Sequence, residues 1–221
     1  MSRDILGLIV SFGFVFLVIG LSKPLERIGK ETSRKFVHIA VSHWWIIAMV
    51  FFDSPQWAVV APAAFVVLNF LSYRFDLFSS MERHEGRGDL GTVYYAISLV
   101  VLSLLTFRPG AAPYIGAIGI LIMGWGDGFA AIVGKRYGTR KVTLFGATRT
   151  LQGSLTMFVV SFLVCFVILS IYDPERALLA SLTVAAGATL AEALTPLGFD
   201  NLTVPLLSSA IYTFLFFQGS R

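Results

Sequence analysis

The sequence has little charge and almost no cysteine. Only 14% of its 221 residues are Asp, Glu, Lys or Arg, and 56% are hydrophobic, whereas about a quarter of the residues of an ordinary soluble domain are charged. The single cysteine, Cys165, excludes a disulfide within the chain and a metal site built from several cysteines. No low-complexity linker interrupts the sequence. We therefore predict one domain over residues 1–221, and not a soluble one.

Long apolar runs are what the sequence does have. A membrane-spanning helix needs about 20 mostly apolar residues, and the runs do not alternate polar with apolar residues as barrel strands do. We predict an all-α, polytopic integral membrane protein with about eight transmembrane helices. The predicted spans are residues 4–21, 37–52, 56–73, 90–107, 111–133, 151–172, 177–194 and 203–218. No small-x-small cleavage pattern follows the first span, so we expect it to stay in the mature chain.

The basic residues indicate an orientation in the membrane. Of the 17 Lys and Arg residues, thirteen fall in the first, third and fifth predicted loops and four on the other side. Lys and Arg in short loops stay cytoplasmic. We therefore expect loops one, three, five and seven on the cytoplasmic side of a prokaryotic cell membrane, with both termini outside. A membrane face with this many Lys and Arg residues can bind a polyphosphate or anionic lipids. In many membrane proteins, however, basic loops act only as topology signals.

One predicted span carries an acid. The segment MGWGDGFAAIVGKRYG, residues 123–138, places Asp127 among glycines before a run of basic residues. Desolvating a carboxylate costs several kcal/mol unless a cation or hydrogen-bond donors compensate, so its presence here is a functional hypothesis. A carboxylate that binds a metal, followed by cations that bind phosphates, accounts for the pattern. The flanking Gly124, Gly126 and Gly128 either allow close helix packing or line a polar cavity.

Several segments resemble a known family. GDGFAAIVGKRYG, with Lys141 and TRTLQGS after it, is similar to the signature of the polyprenol kinase family, which includes phytol kinases, dolichol kinases and CTP-dependent diacylglycerol kinases. The other resembling segments are RKFVHI (34–39), GTVYY (91–95), Ala191-Glu192 and Asp200-Asn201. All of them lie in or beside the loops predicted to be cytoplasmic. A departure occurs at Gln152, where many members have Glu, which removes one candidate metal ligand.

The resemblance implies a reaction. It implies transfer of the γ-phosphoryl group of CTP, with Mg²⁺, to the hydroxyl of a membrane isoprenoid alcohol such as phytol, geranylgeraniol or another polyprenol, at the cytoplasmic face. Phosphoryl transfer depends on positioning and on neutralising charge, so a metal and several cations are expected. The alternatives are a CTP-dependent diacylglycerol kinase, a CTP-dependent lipid cytidylyltransferase and, outside enzymes, an anionic lipid transporter. No nucleic-acid partner is predicted, and the residues identify neither the alcohol nor the oligomeric state.

The resemblance also implies roles for individual residues. The catalytic candidates are Asp127, His38 and Lys135, of which Asp127 either binds Mg²⁺ or receives the alcohol proton. Glu192 is a second candidate metal ligand. The nucleotide- or phosphate-binding candidates are Arg34, Lys35, Gly126, Gly128, Arg136, Lys141, Arg149, Gly153, Ser154, Asp200 and Asn201. The candidates on the substrate side are Thr92, Tyr94 and Tyr95.

Overall fold

The computed structural model of the protein describes residues 2–75, 90–144, 147–196 and 198–218. Arg83 and Arg87, which the topology prediction assigns to the third loop, lie outside these ranges. The described chain is almost entirely helical, so the predicted all-α class is confirmed.

Helices occur in each of the eight predicted intervals. They are α1 (Arg3–Ser22), α2 (Lys30–Ser42), α3 (Trp44–Phe51), α4 (Pro55–Ala58), α5 (Val60–Phe75), α6 (Gly91–Thr106), α7 (Pro113–Leu121), α8 (Gly128–Tyr137), α9 (Leu151–Tyr172), α10 (Ala177–Leu194) and α11 (Asp200–Leu215). A 3-10 helix, Lys23–Arg27, follows α1, and a π-helical turn, Ile122–Asp127, joins α7 to α8.

Among the described residues, five helical stretches are long and apolar enough to cross a membrane. They are Arg3–Arg27, Pro55–Phe75, Pro113–Tyr137, Leu151–Tyr172 and Ala177–Leu194. The helices in the other three intervals are shorter: α6 and α11 have 16 residues each, and the interval 37–52 is divided between α2 and α3. The count of eight crossings and their orientation therefore stay predictions.

The division between α2 and α3 occurs at His43. The carbonyl of Ile39, which the next helical turn would use, lies 3.0 Å from Nδ1 of the His43 ring. Nε2 of the same ring accepts a hydrogen bond from the indole Nε1 of Trp125 at 3.2 Å. The histidine thus takes a backbone acceptor from its own helix and attaches this point to the π-helical turn.

The predicted loop between α8 and α9 contains a small hairpin. Strand β1 (Lys141–Leu144) pairs antiparallel with β2 (Ala147–Thr150), with Lys141 opposite Thr150 and Val142 opposite Arg149. From the sequence, we assign this segment only to the fifth loop and predict no strand there. The β-branched residues of both strands are the signal that could have predicted the hairpin. The pairing brings Lys141 beside the N-terminus of α9, where Thr150 is the cap.

The stretch Pro113–Tyr137 forms the centre of the bundle. In its most apolar window 72% of the residues are buried, against 22–44% in the other four stretches. Close packing explains one of its glycines, because a Cβ at Gly119 would lie 2.3 Å from the Pro205 carbonyl oxygen of α11. Asp127, at the end of the π-helical turn, is therefore surrounded by other helices.

Candidate functional site

The π-helical turn places Asp127 against α2. A Cβ at Gly124 would lie 2.3 Å from that of Ser42, and a Cβ at Gly128 would lie 2.5 Å from Cγ1 of Ile39, so α2 touches the turn at both points. π-Helical turns inside α-helices are frequent at functional sites. Of the two roles considered for the glycines of this segment, close helix packing is thus the one that fits Gly124 and Gly128.

Two side chains of α2 meet the carboxylate of Asp127. The Nζ atom of Lys35 lies 2.5 Å from Oδ2 of Asp127, and Nε2 of His38 lies 3.6 Å from the same oxygen. The side chains of Lys35 and Asp127 are only 5% and 10% exposed. Because a buried charge needs a partner, the lysine compensates the acid. The RKFVHI and GDG segments therefore meet in one cluster.

A second cluster surrounds Arg149 of β2. Its Nε lies 2.7 Å from Oε1 of Glu192, and its Nη2 donates to Oδ2 of Asp200 at 2.9 Å. Both the backbone N–H and the side-chain amide of Asn201 donate to the other oxygen of Asp200. Within the described residues, Oε2 of Glu192 is buried without a hydrogen-bond partner. The hairpin, α10 and α11 are thus joined by ion pairs that leave one carboxylate oxygen available.

The two clusters line one cavity of about 290 Å³, which we call the polar cavity. The predicted residues that line it are Arg34, Lys35, Asp127, Lys135, Lys141, Arg149, Gly153, Ser154, Glu192, Asp200 and Asn201. Segments that lie far apart in the sequence thus supply both acids and cations to a single space. Such an arrangement can bind a polyphosphate and a divalent cation together.

A second cavity, of about 70 Å³, adjoins the first and is mostly apolar. We call it the apolar cavity. Two of the predicted substrate-side residues, Thr92 and Tyr95, line it together with His38, and Arg34 and Asn201 line both cavities. The rings of His38 and Tyr95 lie 4.8 Å apart. In the described part of the chain, Nε2 of His38 and the hydroxyl of Tyr95 are buried without hydrogen-bond partners, so both can bind a polar group of a ligand.

Four predicted site residues lie elsewhere. Gly126 packs on α9, where its Cβ would lie 2.7 Å from Sδ of Met157; like Gly128, it lines neither of the two cavities. The guanidinium of Arg136 lies over the Tyr137 ring at 5.4 Å. Tyr94 stacks on Phe199, with ring centroids 4.5 Å apart. Gly126, Gly128, Arg136 and Tyr94 therefore lie outside the linings of the two cavities, and their roles at the site stay predictions.

Sequence reasoning gave no role to two residues that shape the polar cavity. Thr150 caps α9 and accepts a hydrogen bond from the backbone N–H of Gly153 at 3.1 Å. Gly134 on α8 faces them, since its Cβ would lie 2.8 Å from Oγ1 of Thr150. Thr before the apolar run of α9 is a helix-cap signal that could have identified the first. Gly134 could be identified only from the packing of α8 on α9.

The residues present fit a magnesium ion that arrives with a nucleotide. Across the described ranges, no group of three or more His, Cys, Asp or Glu side chains is placed to hold a metal. Mg²⁺ beside nucleotides is usually bound by one or two carboxylates, with phosphates and waters completing the coordination. Asp127 and Glu192 line the polar cavity, and the unpartnered Oε2 of Glu192 is an available ligand. A site shared with phosphates therefore suits this donor set better than one built by protein alone.

Comparison with known proteins gives a consistent result. The chain is 38% identical to "Phytol kinase" of Synechocystis sp. over 207 residues, which cover 90% of this chain and 85% of that protein. It is 30% identical to "Phytol kinase 1, chloroplastic" of Arabidopsis thaliana, with 88% of this chain and 70% of that protein covered. A segment of 52 residues is 44% identical to "Dolichol kinase" of Saccharomyces cerevisiae, with 24% of this chain and 10% of that protein covered. No protein-family model and no solved structure matches.

Proposed function

The chain belongs to the polyprenol kinase family and is a phosphotransferase with an alcohol acceptor, and we propose that it transfers the γ-phosphoryl group of CTP to a membrane isoprenoid alcohol at the cytoplasmic face. One observation carries the proposal. A polar cavity rich in cations adjoins an apolar cavity, and Arg34 and Asn201 line both. A reaction between a nucleotide triphosphate and a lipid hydroxyl requires two such spaces side by side.

The polar cavity is the nucleotide side of the proposed site. Lys135 and Lys141 line it and would bind phosphate oxygens, while Lys35 and Arg149 compensate the buried acids. Mg²⁺ bound with the nucleotide, held by Asp127 and Glu192, would neutralise charge on the transferred phosphoryl group. CTP as the donor rests on the resemblance of the motifs, and phytol or a related prenol as the acceptor rests on the names of the relatives.

The apolar cavity is the alcohol side. The hydroxyl would lie at its polar end, within hydrogen-bonding reach of His38 and Tyr95, whose buried polar atoms have no partner among the described residues. In the transfer, the alcohol oxygen forms a bond to the γ-phosphorus while the bond to the bridging oxygen of CDP breaks. The alcohol proton leaves to His38 or Asp127, whose side chains lie 3.6 Å apart between the two cavities.

Phosphate-labelled CTP tests the proposed reaction. Purified protein in detergent with Mg²⁺ is given CTP labelled at the γ- or the α-phosphate, together with phytol, farnesol, geranylgeraniol, a long polyprenol or diacylglycerol. We expect γ-label in an isoprenoid monophosphate, release of CDP, and a large loss of transfer in Asp127→Asn. Label in diacylglycerol alone would change the acceptor, and α-label in a lipid with pyrophosphate release would indicate a cytidylyltransferase. Transfer to no lipid would contradict the proposal. Equal transfer rates with ATP or UTP would contradict the assignment of CTP as the donor.

A further inference from the structure

The apolar cavity is too small for a whole isoprenoid alcohol. Its volume is about 70 Å³, whereas pockets that enclose a drug-sized ligand measure about 300–1,000 Å³. Phytol, with twenty carbons, belongs to that size range. Only the end of the alcohol that carries the hydroxyl can therefore be enclosed, and most of the tail must lie outside the cavity.

One side of the apolar cavity wall, between α1 and α5, is loosely packed. Both helices line the cavity, α1 through Val15 and α5 through Phe65 and Asn69. Helix α5 packs along α6, to which Asn69 is also hydrogen-bonded through the Thr92 carbonyl at 3.0 Å, but it touches α1 at few positions. Across this gap the rings of Phe12 and Phe65 lie 5.5 Å apart. We call this gap the α1–α5 seam.

The neighbouring interface of α1 is much tighter. On the side of α3, a Cβ at Gly7 would lie 2.6 Å from Cβ of Phe51, so the backbones approach closely there. A flexible contact between two aromatic side chains is easier to open than this interface, because a side chain can change rotamer without moving a helix. The α1–α5 seam is thus a part of the cavity wall that can admit a chain.

The outer surfaces on both sides of the seam are apolar. Phe16 and Leu17 of α1 are 54% and 59% exposed, and Val67 and Phe70 of α5 are 57% and 51% exposed. In a membrane these side chains contact lipid tails. A hydrocarbon chain that leaves the cavity through the seam therefore passes directly into the bilayer, without crossing water or polar protein surface.

We propose that the lipid alcohol enters and is held through the α1–α5 seam, with its hydroxyl end in the apolar cavity and its tail between Phe12 and Phe65 and in the bilayer. The inference rests on the proposed function. It adds the route by which the alcohol enters and the part of the alcohol that the enzyme recognises. Specificity then lies in the first few carbons, and tail length has little effect on turnover.

A reversible crosslink across the seam tests this route. The variant Phe12→Cys/Phe65→Cys is treated with a short bifunctional methanethiosulfonate, whose disulfides dithiothreitol cleaves. Its activity is measured with phytol and with the five-carbon prenol 3-methylbut-2-en-1-ol, which has the same hydroxyl end as phytol but lacks the long tail. We expect the crosslink to lower phytol turnover by about tenfold or more and prenol turnover by less than about twofold, and reduction to restore both.

Matched controls separate the seam from other effects of crosslinking. Each single-cysteine variant is treated in the same way, to measure the effect of modification without a crosslink. The pair Tyr114→Cys/Tyr172→Cys, whose native rings stack 4.7 Å apart at the other end of the bundle, should keep phytol turnover after treatment. An equal loss for phytol and prenol, no loss for either, or failure of the untreated enzyme to use prenol would each overturn the inference. Wild-type protein that phosphorylates no alcohol would instead overturn the proposed function.

Discussion

Two carboxylates at opposite ends of the bundle differ in how completely they are hydrogen-bonded. Asp173 accepts from Arg176 at 3.2 Å on Oδ1 and from the Tyr212 hydroxyl at 2.8 Å on Oδ2. Glu192 lies beside Arg149 through Oε1 only, and its Oε2 is buried without a hydrogen-bond partner in the described chain. A buried polar network that is fully satisfied holds a structure together, whereas an unsatisfied buried oxygen is expensive without a ligand. The difference indicates that the end of the bundle with Glu192 binds a ligand.

The two ends are far enough apart to be tested separately. Tyr114, whose hydroxyl lies 3.0 Å from that of Tyr212, and Asp127 belong to one helical stretch and are thirteen residues apart. That spacing corresponds to about 20 Å along a helix axis. Substitutions at the Asp127 end should therefore lower activity, and substitutions at the Asp173 end should lower stability.

The largest effect is expected from the same substitution made at each end. Asp127→Asn removes the negative charge beside Lys35 while preserving side-chain volume, and we expect turnover to fall by about 10³-fold, because preorganised charge dominates phosphoryl transfer. Asp173→Asn should leave turnover within about twofold of wild type, since it is remote from both cavities. The measurement is the initial rate of label transfer from CTP to phytol. Comparable losses of turnover in both variants would contradict the assignment of activity to the Asp127 end and of stability to the Asp173 end.

A smaller loss is expected at Glu192. Glu192→Gln keeps an oxygen in the polar cavity but removes the charge, so we expect the Mg²⁺ concentration for half-maximal activity to rise about 10- to 100-fold. Glu175→Gln is the matched control, because Glu175 is exposed beside the Asp173 cluster. Chelation should abolish wild-type transfer, and added Mg²⁺ should restore it. An unchanged Mg²⁺ requirement in Glu192→Gln would remove this residue from the metal site.

Substitutions of two adjacent cations test which of them contacts the nucleotide. Lys135 lines it, whereas the Arg136 guanidinium lies over the Tyr137 ring. We expect Lys135→Met to raise the KM for CTP about tenfold, since a charge-assisted hydrogen bond contributes about 1.5–3 kcal/mol, and Arg136→Met to change it by less than about twofold. Steady-state rates over a range of CTP concentrations measure both. Equal effects would mean that net positive charge, not position, decides binding.

The sequence predicts the helices and the family because both depend on local patterns. Apolar runs delimit the helices, and the GDG and RKFVHI segments carry the resemblance that the phytol kinase relatives confirm. Which side chain faces which space depends on helix rotation instead. Tyr94 and Tyr95 are neighbours, yet Tyr94 stacks on Phe199 and Tyr95 lines the apolar cavity. No local pattern separates them, since both have the same chemistry.

Contacts between distant segments were equally beyond prediction. Lys35 and Asp127 are 92 residues apart, and only the packing of α2 on the π-helical turn shows that the lysine pairs with the acid. The glycines of IMGWGD weaken a regular helix, but nothing in this segment specifies a π-helical turn. The two adjoining cavities follow from these contacts and could not be predicted from composition or motif.

The smallest expected effect lies at the Asp173 end. Tyr212→Phe keeps the buried ring but removes the hydroxyl that donates to Asp173 at 2.8 Å and lies 3.0 Å from the Tyr114 hydroxyl. A hydrogen bond to a charged group contributes about 1.5–3 kcal/mol to the free energy of unfolding, so its loss should lower the thermal unfolding temperature in detergent. Tyr73→Phe, at an exposed tyrosine, should leave it unchanged. Kinase turnover should stay within about twofold in both variants, because Tyr212 lines neither cavity; a large loss of turnover with unchanged stability would mean that the two ends act together.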